Sequence, residues 1–302
     1  MIISVVIPVF NSSKSLGELY ARLRNVLDSA GADWEIIMVD DRSRDDSFQV
    51  MQNLRQLDRR VKLIRLERNS GQHSATLCGL AYSQGEYLIT IDDDLQHLPE
   101  AIPRLLQEIK AGHDVVFGIP GKMQQNLYRN WGSRLIDKSI NAIFPRFGGI
   151  KRSSFRALNR DLTNRMLTKP QSPIYMAALI LSHAHNPGNI EVEHQIRRYG
   201  RSNYNILKTL VMTRDLLINY SYLPLKILAR LWLAFALLGL VWLQLGRLYP
   251  DHPGAALGAV IFSVLGSILA LVSVWLAAEY WLKSRRHRAS CGWPYKIEEI
   301  QL

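Results

Sequence analysis

Five residues of β-favouring character, Tyr87-Leu-Ile-Thr-Ile, run straight into Asp92-Asp93-Asp94, followed by Leu95-Gln96-His97. A buried strand that stops at three acids places them at the C-terminal edge of a sheet, where α/β proteins put their ligand sites. Side chains alternate along extended chain, so Asp92 and Asp94 are expected on one face, with Gln96 beside them. Two hard oxygens on one face suit a divalent cation such as Mg2+, which takes one or two carboxylates and completes its shell with substrate phosphates. The competing reading is an acidic loop that caps a helix starting near Pro99.

The preceding residues alternate between strand and helix. Ile2–Val9 reads as a strand, and Ser15–Ser29 as a helix with Leu16, Leu19, Leu23, Val26 and Leu27 on one stripe. Trp34–Val39 is a second strand that stops at Asp40-Asp41, and a helix then runs to about Leu57. Val61–Leu66 is a third strand, followed by Asn69-Ser-Gly71-Gln-His73 and a helix through Ala81. This spacing predicts βαβ units and a mostly parallel sheet. The loops at 10–13, 40–43, 69–73 and 92–97 then share one edge. Asp40 there suits the imide of a base or a ribose hydroxyl, or serves only its own turn. No Gly-x-Gly-x-x-Gly follows the first strand and no Walker-type phosphate loop occurs, which disfavours both of those nucleotide sites.

A formal charge of +11 calls for an anionic partner: nucleic acid, a phosphate-bearing substrate or an anionic membrane surface. Cys78 and Cys291 lie far apart and form no metal-ligand spacing, so no disulfide is expected. The N-terminus lacks a basic segment and a cleavage site and reads as the first strand, not a signal peptide.

Four segments in order carry a resemblance: Val6-Ile-Pro8-Val-Phe10-Asn11, Val39-Asp40-Asp41-Arg-Ser43, Asn69-Ser-Gly71, and Asp92-Asp-Asp94-Leu-Gln96. Together they resemble the signatures of family-2 glycosyltransferases. More narrowly they resemble the polyprenyl-phosphate sugar transferases, the group of dolichyl-phosphate mannose synthase, bactoprenol glucosyltransferase and undecaprenyl-phosphate aminoarabinose transferase. The resemblance implies a GT-A-type, Rossmann-like α/β domain. It implies a nucleotide-sugar donor, a UDP-sugar by analogy with bacterial relatives, held by Pro8, Phe10, Asn11, Asp40, Gly71 and Asp93. It also implies Mg2+ or Mn2+ on Asp92, Asp94 and Gln96, bridging the donor diphosphate.

Further along, Ser153-Ser154-Phe155-Arg156 resembles a segment that in this family often reads Asp-x-x-Ser-Gly-Phe-Arg. The family Asp is absent, since Ile150 and Lys151 occupy that region. A lipid phosphate acceptor, whose second pKa is roughly 6, is already largely ionised and needs little help from a base. Glu191–Arg197 reads as a strand leading into Arg197-Arg-Tyr-Gly-Arg201-Ser202-Asn203-Tyr, similar to the family's Arg-x-x-Gly-x-Ser-Lys-Tyr loop with Asn203 in place of Lys. The resemblance makes Arg197 and Arg201 catalytic together with Asp92 and Asp94, and Arg197, Arg201 and Ser202 the acceptor-phosphate site. A guanidinium fork suits anionic oxygens.

The last third predicts a membrane anchor. Leu225–Leu245 and Gly254–Ala278 are each long enough to cross a hydrocarbon core of ~30 Å, and Gly246–Pro253 reads as the turn of a two-helix transmembrane hairpin. Lys226, Arg230, Lys283, Arg285, Arg286 and Arg288 flank the outer ends, whereas the turn carries only Arg247. The positive-inside rule then places both termini and the globular domain in the cytoplasm, at the inner membrane. The expected divisions are a glycosyltransferase domain at 1–204, an amphipathic interfacial segment at 205–224, the hairpin at 225–282 and a basic tail at 283–302. The resemblance also implies that Tyr295–Ile300 returns to the domain as a short strand. Gly239, Gly258 and Gly266 would permit close helix contacts and a homo-oligomer. The basic residues cluster beside the spans, which argues against nucleic acid as partner.

The resulting expectation is a metal-dependent inverting transferase that moves a sugar from a nucleotide diphosphate to a polyprenyl phosphate such as undecaprenyl phosphate, in cell-envelope polysaccharide or lipopolysaccharide synthesis. The alternatives are a glycan or glycolipid hydroxyl acceptor, and a non-catalytic membrane scaffold.

Overall fold

A computed structural model describes residues 1–121, 136–168, 175–195, 206–221, 223–248, 254–289 and 293–302. They form two compact units, Met1–Leu210 with Trp293–Leu302, and Val211–Gly292.

The first unit is an eight-stranded mixed sheet with helices on both faces. In chain order it runs β1 (Ile2–Val9), α1 (Leu16–Ser29), β2 (Asp33–Asp40), α2 (Ser47–Leu57), β3 (Val61–Leu66), α3 (Gln72–Tyr82) and β4 (Tyr87–Thr90). There follow α4 (Ile102–Lys110), β5 (Val115–Pro120), α5 (described over 136–143), β6 (Arg156–Asn159), α6 (Arg160–Leu167), α7 (Met176–His183) and β7 (Pro187–Val192). After the second unit, β8 (Ile297–Gln301) returns to pair with β3. The strand order is β7-β5-β6-β4-β1-β2-β3-β8.

Strands β3, β2, β1 and β4 are mutually parallel, so their C-terminal ends meet at one edge. The apolar runs are continuous because both faces are covered. Ile3, Val5, Ile7 and Val9 of β1 join the core under α1, α2 and α4. Val6 faces the opposite core, with Ala75, Leu77 and Cys78 of α3. A Cβ at Gly79 would overlap Val6, so glycine lets α3 lie close on β1 and brings its N-terminus to the strand ends. Cys78 is buried here as a free thiol, pushed up to about 12 by burial.

One strand is displaced from the expectation. The sixth parallel-paired strand spans Pro187–Val192 rather than Glu191–Arg197. It lies at the sheet margin, where a leading proline forfeits no ladder bond the fold needs. Strand β5, Val115–Pro120, pairs parallel with it. Strands β5 and β6 run antiparallel to each other, and β6 antiparallel to β4.

Helix α8 spans Ile206–Tyr220, crossing the division between the units, and the second unit continues with α9 (Leu223–Leu248) and α10 (Gly254–Ala289), the last entering the stretch expected as a tail. Pro224–Trp242 and Ile261–Glu279 are each long and apolar enough to cross a membrane, and only 6% of each is buried. Trp242 lies on Gly258, Phe235 on Gly266, and Trp232 Nε1 donates to Ser273 Oγ at 2.9 Å. The paired positions fall along α9 as they rise along α10, so the helices are antiparallel. Gly258 and Gly266 thus make close contacts with aromatic rings within one chain.

Candidate active site

Each of the four loops at the parallel edge contains one residue in left-handed backbone: Asn11 (φ 55°), Arg42 (φ 63°), Gly71 (φ 87°) and Leu95 (φ 60°). Among the described residues, Asn11, Arg42 and Leu95 are the only non-glycines with positive φ. Such conformations cost free energy and persist where the surroundings enforce them, commonly at functional sites.

The enforcing bonds run from loop to loop. Asn11 N donates to Ser43 Oγ at 3.0 Å, and Asn11 Oδ1 accepts from Arg44 N at 2.8 Å. Asp41 Oδ1 and Oδ2 accept from the amides of Ser70 and Gly71, at 2.6 and 2.8 Å. Phe10 N donates to Asp93 Oδ2 at 3.0 Å, and Ser15 Oγ to the Asp93 carbonyl at 2.5 Å. Gln72 Nε2 donates to Asp92 Oδ1 at 2.5 Å and Ser154 Oγ to Asp92 Oδ2 at 2.6 Å. The loops after β1, β2, β3 and β4 and the segment entering β6 thus form one connected frame.

Within it, the alternation expected to align Asp92, Asp94 and Gln96 does not hold. Strand geometry ends at Thr90, the chain turns at 93–94, and Leu95 is left-handed. Asp94 is 7% exposed and its Oδ1 accepts from the Gln96 amide at 3.1 Å. The helix-cap reading also fails, since no side chain caps the helical turn at Pro99–Ala101. Burial pushes the Asp93 carboxyl up to about 6; the Ser12 and Phe10 bonds oppose this, and the charges of Asp92 and Asp94 add to it.

Asp40 is fully buried at the end of β2. Its Oδ1 accepts from Ser43 N at 2.9 Å, so it does serve its own turn. Its Oδ2 lies 3.2 Å from Arg65 Nε in a geometry that makes no hydrogen bond, leaving a buried acceptor atom without one. Pro8 pairs with Val39 at the end of β1, and Phe10 is 39% exposed at the loop tip. Gly71 starts α3.

Several residues here were quoted within motifs but given no role. Arg156 is 4% exposed, donates through Nε to Thr90 Oγ1 at 2.9 Å, and sits close enough to Asp92 to interact electrostatically. Burial lowers its pKa to about 10 while Asp92 raises it. His73 packs edge-on against Tyr175, with ring centroids 5.1 Å apart, and burial with the nearby Arg156 pushes it down to about 4. His97 stacks on Phe155 and meets His194 edge-on, at 5.2 and 5.0 Å between centroids. Arg152 pairs with Asp137 of α5 at 2.5 Å. Sequence spacing could not relate residues so far apart, although the motif segments themselves contain Gln72, Ser154 and Arg156.

Arg197, Arg201 and Ser202 lie outside the described residues, as does Asn203. The chain leading to them is placed: His194 bridges to His97, and Gln195 N donates to the Gln96 carbonyl at 2.9 Å.

Among the described residues, no three His, Cys, Asp or Glu side chains form a metal cage. Hard carboxylate oxygens on Asp92 and Asp94 fit Mg2+ or Mn2+ only where a ligand such as a diphosphate supplies the remaining oxygens. Each carboxylate offers about four lone-pair sites, so the bonds from Gln72 and Ser154 do not saturate Asp92.

Comparison with known proteins agrees with this geometry. The family model described as Glycosyl transferase family 2 matches residues 4–170. The undecaprenyl-phosphate 4-deoxy-4-formamido-L-arabinose transferase of Edwardsiella ictaluri is 34% identical, over 92% of this chain and 88% of its own length. The protein of the same name from Pseudomonas aeruginosa is 32% identical, over 92% of this chain and 84% of its own. Glucosyl-3-phosphoglycerate synthase from Mycobacterium tuberculosis, crystallised with Mn2+, UDP and phosphoglyceric acid, has a similar fold. Its TM-score is 0.54 at 19% identity, covering 72% of this chain and 76% of that one. An α/β sheet whose four signature loops meet at one edge, matched along more than half its length and by relatives over nearly all of it, belongs to glycosyltransferase family 2.

Proposed function

We propose that this chain is a metal-dependent, inverting transferase that moves a sugar from a nucleoside-diphosphate sugar to a polyprenyl phosphate at the cytoplasmic face of the inner membrane. The observation that carries this is the acidic loop at 92–94, framed from four other segments, in a chain that also holds two helices long enough to span a bilayer. The likeness to undecaprenyl-phosphate 4-deoxy-4-formamido-L-arabinose transferases supports both the lipid acceptor and that sugar as the first donor to test. The Mn2+ and UDP of the mycobacterial fold neighbour support a divalent ion and a uridine donor.

In this reading Phe10 offers an aromatic face to the base and Asp40 Oδ2 accepts its imide N–H. Asp92 and Asp94 would hold a divalent ion, which would supply positive charge to offset that building on the leaving diphosphate. Gln72 and Ser154 orient the Asp92 carboxylate, and the buried Arg156 offsets its charge. An oxygen of the lipid phosphate attacks the anomeric carbon from the face opposite the diphosphate. The bond to the diphosphate breaks, its electron pair leaves with the nucleotide, and configuration inverts. No proton need be removed from an ionised phosphate, which fits a site whose described residues show no Asp at 148–155 and whose nearby Asp137 is tied to Arg152. Arg197, Arg201 and Ser202 are assigned to the acceptor phosphate. The Lys and Arg residues flanking the outer ends of the spans support cytoplasmic termini.

Purified protein in detergent, given undecaprenyl phosphate, Mg2+ or Mn2+ and labelled nucleotide sugars, is expected to yield a labelled lipid. Chelation and Asp94→Ala should abolish it. Nucleotide release without a lipid product would instead favour a hydroxyl acceptor, and metal-dependent nucleotide binding with no turnover would favour the scaffold.

A further inference from the structure

Beside the charged acids lies a surface that carries no charge. Gln72 at the start of α3 bonds Asp92, and the next residue, His73, meets the Tyr175 ring edge-on. Tyr175 leads into α7, which shares a core with α3: Ala75 and Leu77 lie in one cluster with Met176, Leu179 and Ile180. That common core brings two rings from distant parts of the chain to one place. Arg156 stands next to both, within electrostatic reach of His73, Tyr175 and Asp92 alike.

The two rings are open to a ligand. His73 and Tyr175 are each only half-buried. Among the described residues, none hydrogen-bonds a ring nitrogen of His73. Both groups are uncharged at neutral pH, since burial holds the imidazole down at about 4 and raises the Tyr175 phenol. A neutral imidazole offers one donor and one acceptor, and a phenol offers a flat apolar face with a hydroxyl at its tip.

A nucleoside-diphosphate sugar has three parts to seat. Its diphosphate belongs with the acids after β4, and its base with Phe10 and Asp40 at the ends of β1 and β2. In the sheet β1 stands between β2 and β4, so a donor laid from β2 across β1 to the acids continues towards β6. Arg156 opens β6, opposite Thr90 at the end of β4, and the two rings gather around it. The part of the donor left to place there is an uncharged ring with polar substituents. Apolar faces carrying a few hydrogen-bonding atoms suit such a group.

We infer that His73 and Tyr175 form a wall of the donor-sugar subsite, with Tyr175 packing on the C–H face of the sugar and His73 hydrogen-bonding a polar substituent. This rests on the reading of the site as one for a nucleoside-diphosphate sugar. The pair then selects among sugars while the nucleotide is held elsewhere, because a sugar lacking the matching group leaves the imidazole unpaired.

The test is calorimetric titration of the full-length protein in detergent with Mg2+. The ligands are UDP and, separately, UDP-4-deoxy-4-formamido-L-arabinose, and wild type is compared with His73→Ala, Tyr175→Ala and Tyr175→Phe. Each alanine variant is expected to bind the sugar nucleotide about tenfold more weakly and to bind UDP as wild type does. Unchanged UDP binding also reports an intact fold. Tyr175→Phe keeps the ring and should stay within about threefold of wild type for both ligands. If the alanine variants weaken UDP and the sugar nucleotide alike, the pair only supports α3 and Gln72, and the inference is overturned. It is overturned equally if neither ligand is weakened. Failure of wild type to bind either ligand would sink the donor reading itself, and the inference with it.

Discussion

Two loops of this sheet begin alike, each an apolar strand that stops at consecutive aspartates, and they are held in opposite ways. After β2, Asp41 has both oxygens taken by backbone amides, those of Ser70 and Gly71, and it is 3% exposed. After β4, Asp92 has both oxygens taken by side chains, Gln72 and Ser154. A backbone amide cannot swing away without moving the chain, whereas a carboxamide or hydroxyl re-orients by rotation. Asp41 is thereby a fixed strut of the frame. Asp92 is a carboxylate whose partners can yield to a ligand.

The sharpest way to break this contrast is Asp94→Ala. If the β4 loop presents acids to a metal and diphosphate, transfer should fall by at least about 100-fold with the fold intact, read as labelled lipid product and a circular dichroism spectrum. Asp41→Asn should do the reverse. It sets an amide NH2 against two N–H donors and is expected to cost about 1–3 kcal/mol, seen as a lower melting temperature of the globular unit. A fully stable Asp41→Asn protein would mean the two loops do not differ as described. Ser154→Ala is expected to leave melting unchanged and weaken Mg2+ activation about tenfold, as for an outer-shell partner of a metal ligand. The smallest effect is expected at His73, between the two loops at the start of α3. Its folded pKa is pushed down to about 4 by burial, so its contribution to stability is present above its ordinary value of 6.5. That contribution is lost as pH falls towards 4, with a slope of at most about 1.4 kcal/mol per pH unit. His73→Gln should flatten this part of the melting-temperature profile; an unchanged profile would show that another group titrates there.

Element order was legible because its signals are local. Val61–Leu66 was read with the bounds it has in the fold, and the helices after β1 and β2 within a residue or so. The return of the chain end as a strand was implied by the family resemblance rather than by a local pattern, and the structure places it at Ile297–Gln301. The misreadings arose where neighbours overrode local pattern. Pro187-Gly188 reads as a break, yet a marginal position beside β5 lets both sit in a strand, with Gly188 closing on His113. Alternation through Asp92 and Asp94 assumes extended chain, and the turn at 93–94 interrupts it before Leu95 turns the chain again. The antiparallel insertion of β6 between β4 and β5 has no local signature, since a strand's pattern is the same in either direction.

The hairpin shows the same division in another solvent. Leu233, Leu238 and Leu240 are 60–63% exposed on α9, whereas Ile3, Val5 and Ile7 are wholly buried in β1. An uninterrupted apolar stretch of that length already implies a non-aqueous surround, so composition sufficed. Which glycine meets which aromatic did not follow from composition, because it depends on how α9 and α10 align.

The sequence by itself determined the alternation of strands and helices, the common edge of the four loops, the two long apolar helices and the presence of acids where a phosphate-bearing ligand would lie. These follow from periodicity and chain direction, which a few neighbouring residues specify. Only the tertiary structure decided which acid is strut and which is presented, that Arg156 lies near enough to Asp92 to feel its charge, and that Glu298 from the far end of the chain reaches Arg42 and Arg65. Those outcomes depend on which strands become neighbours and in what register, and burial then fixes the partners each charge must find.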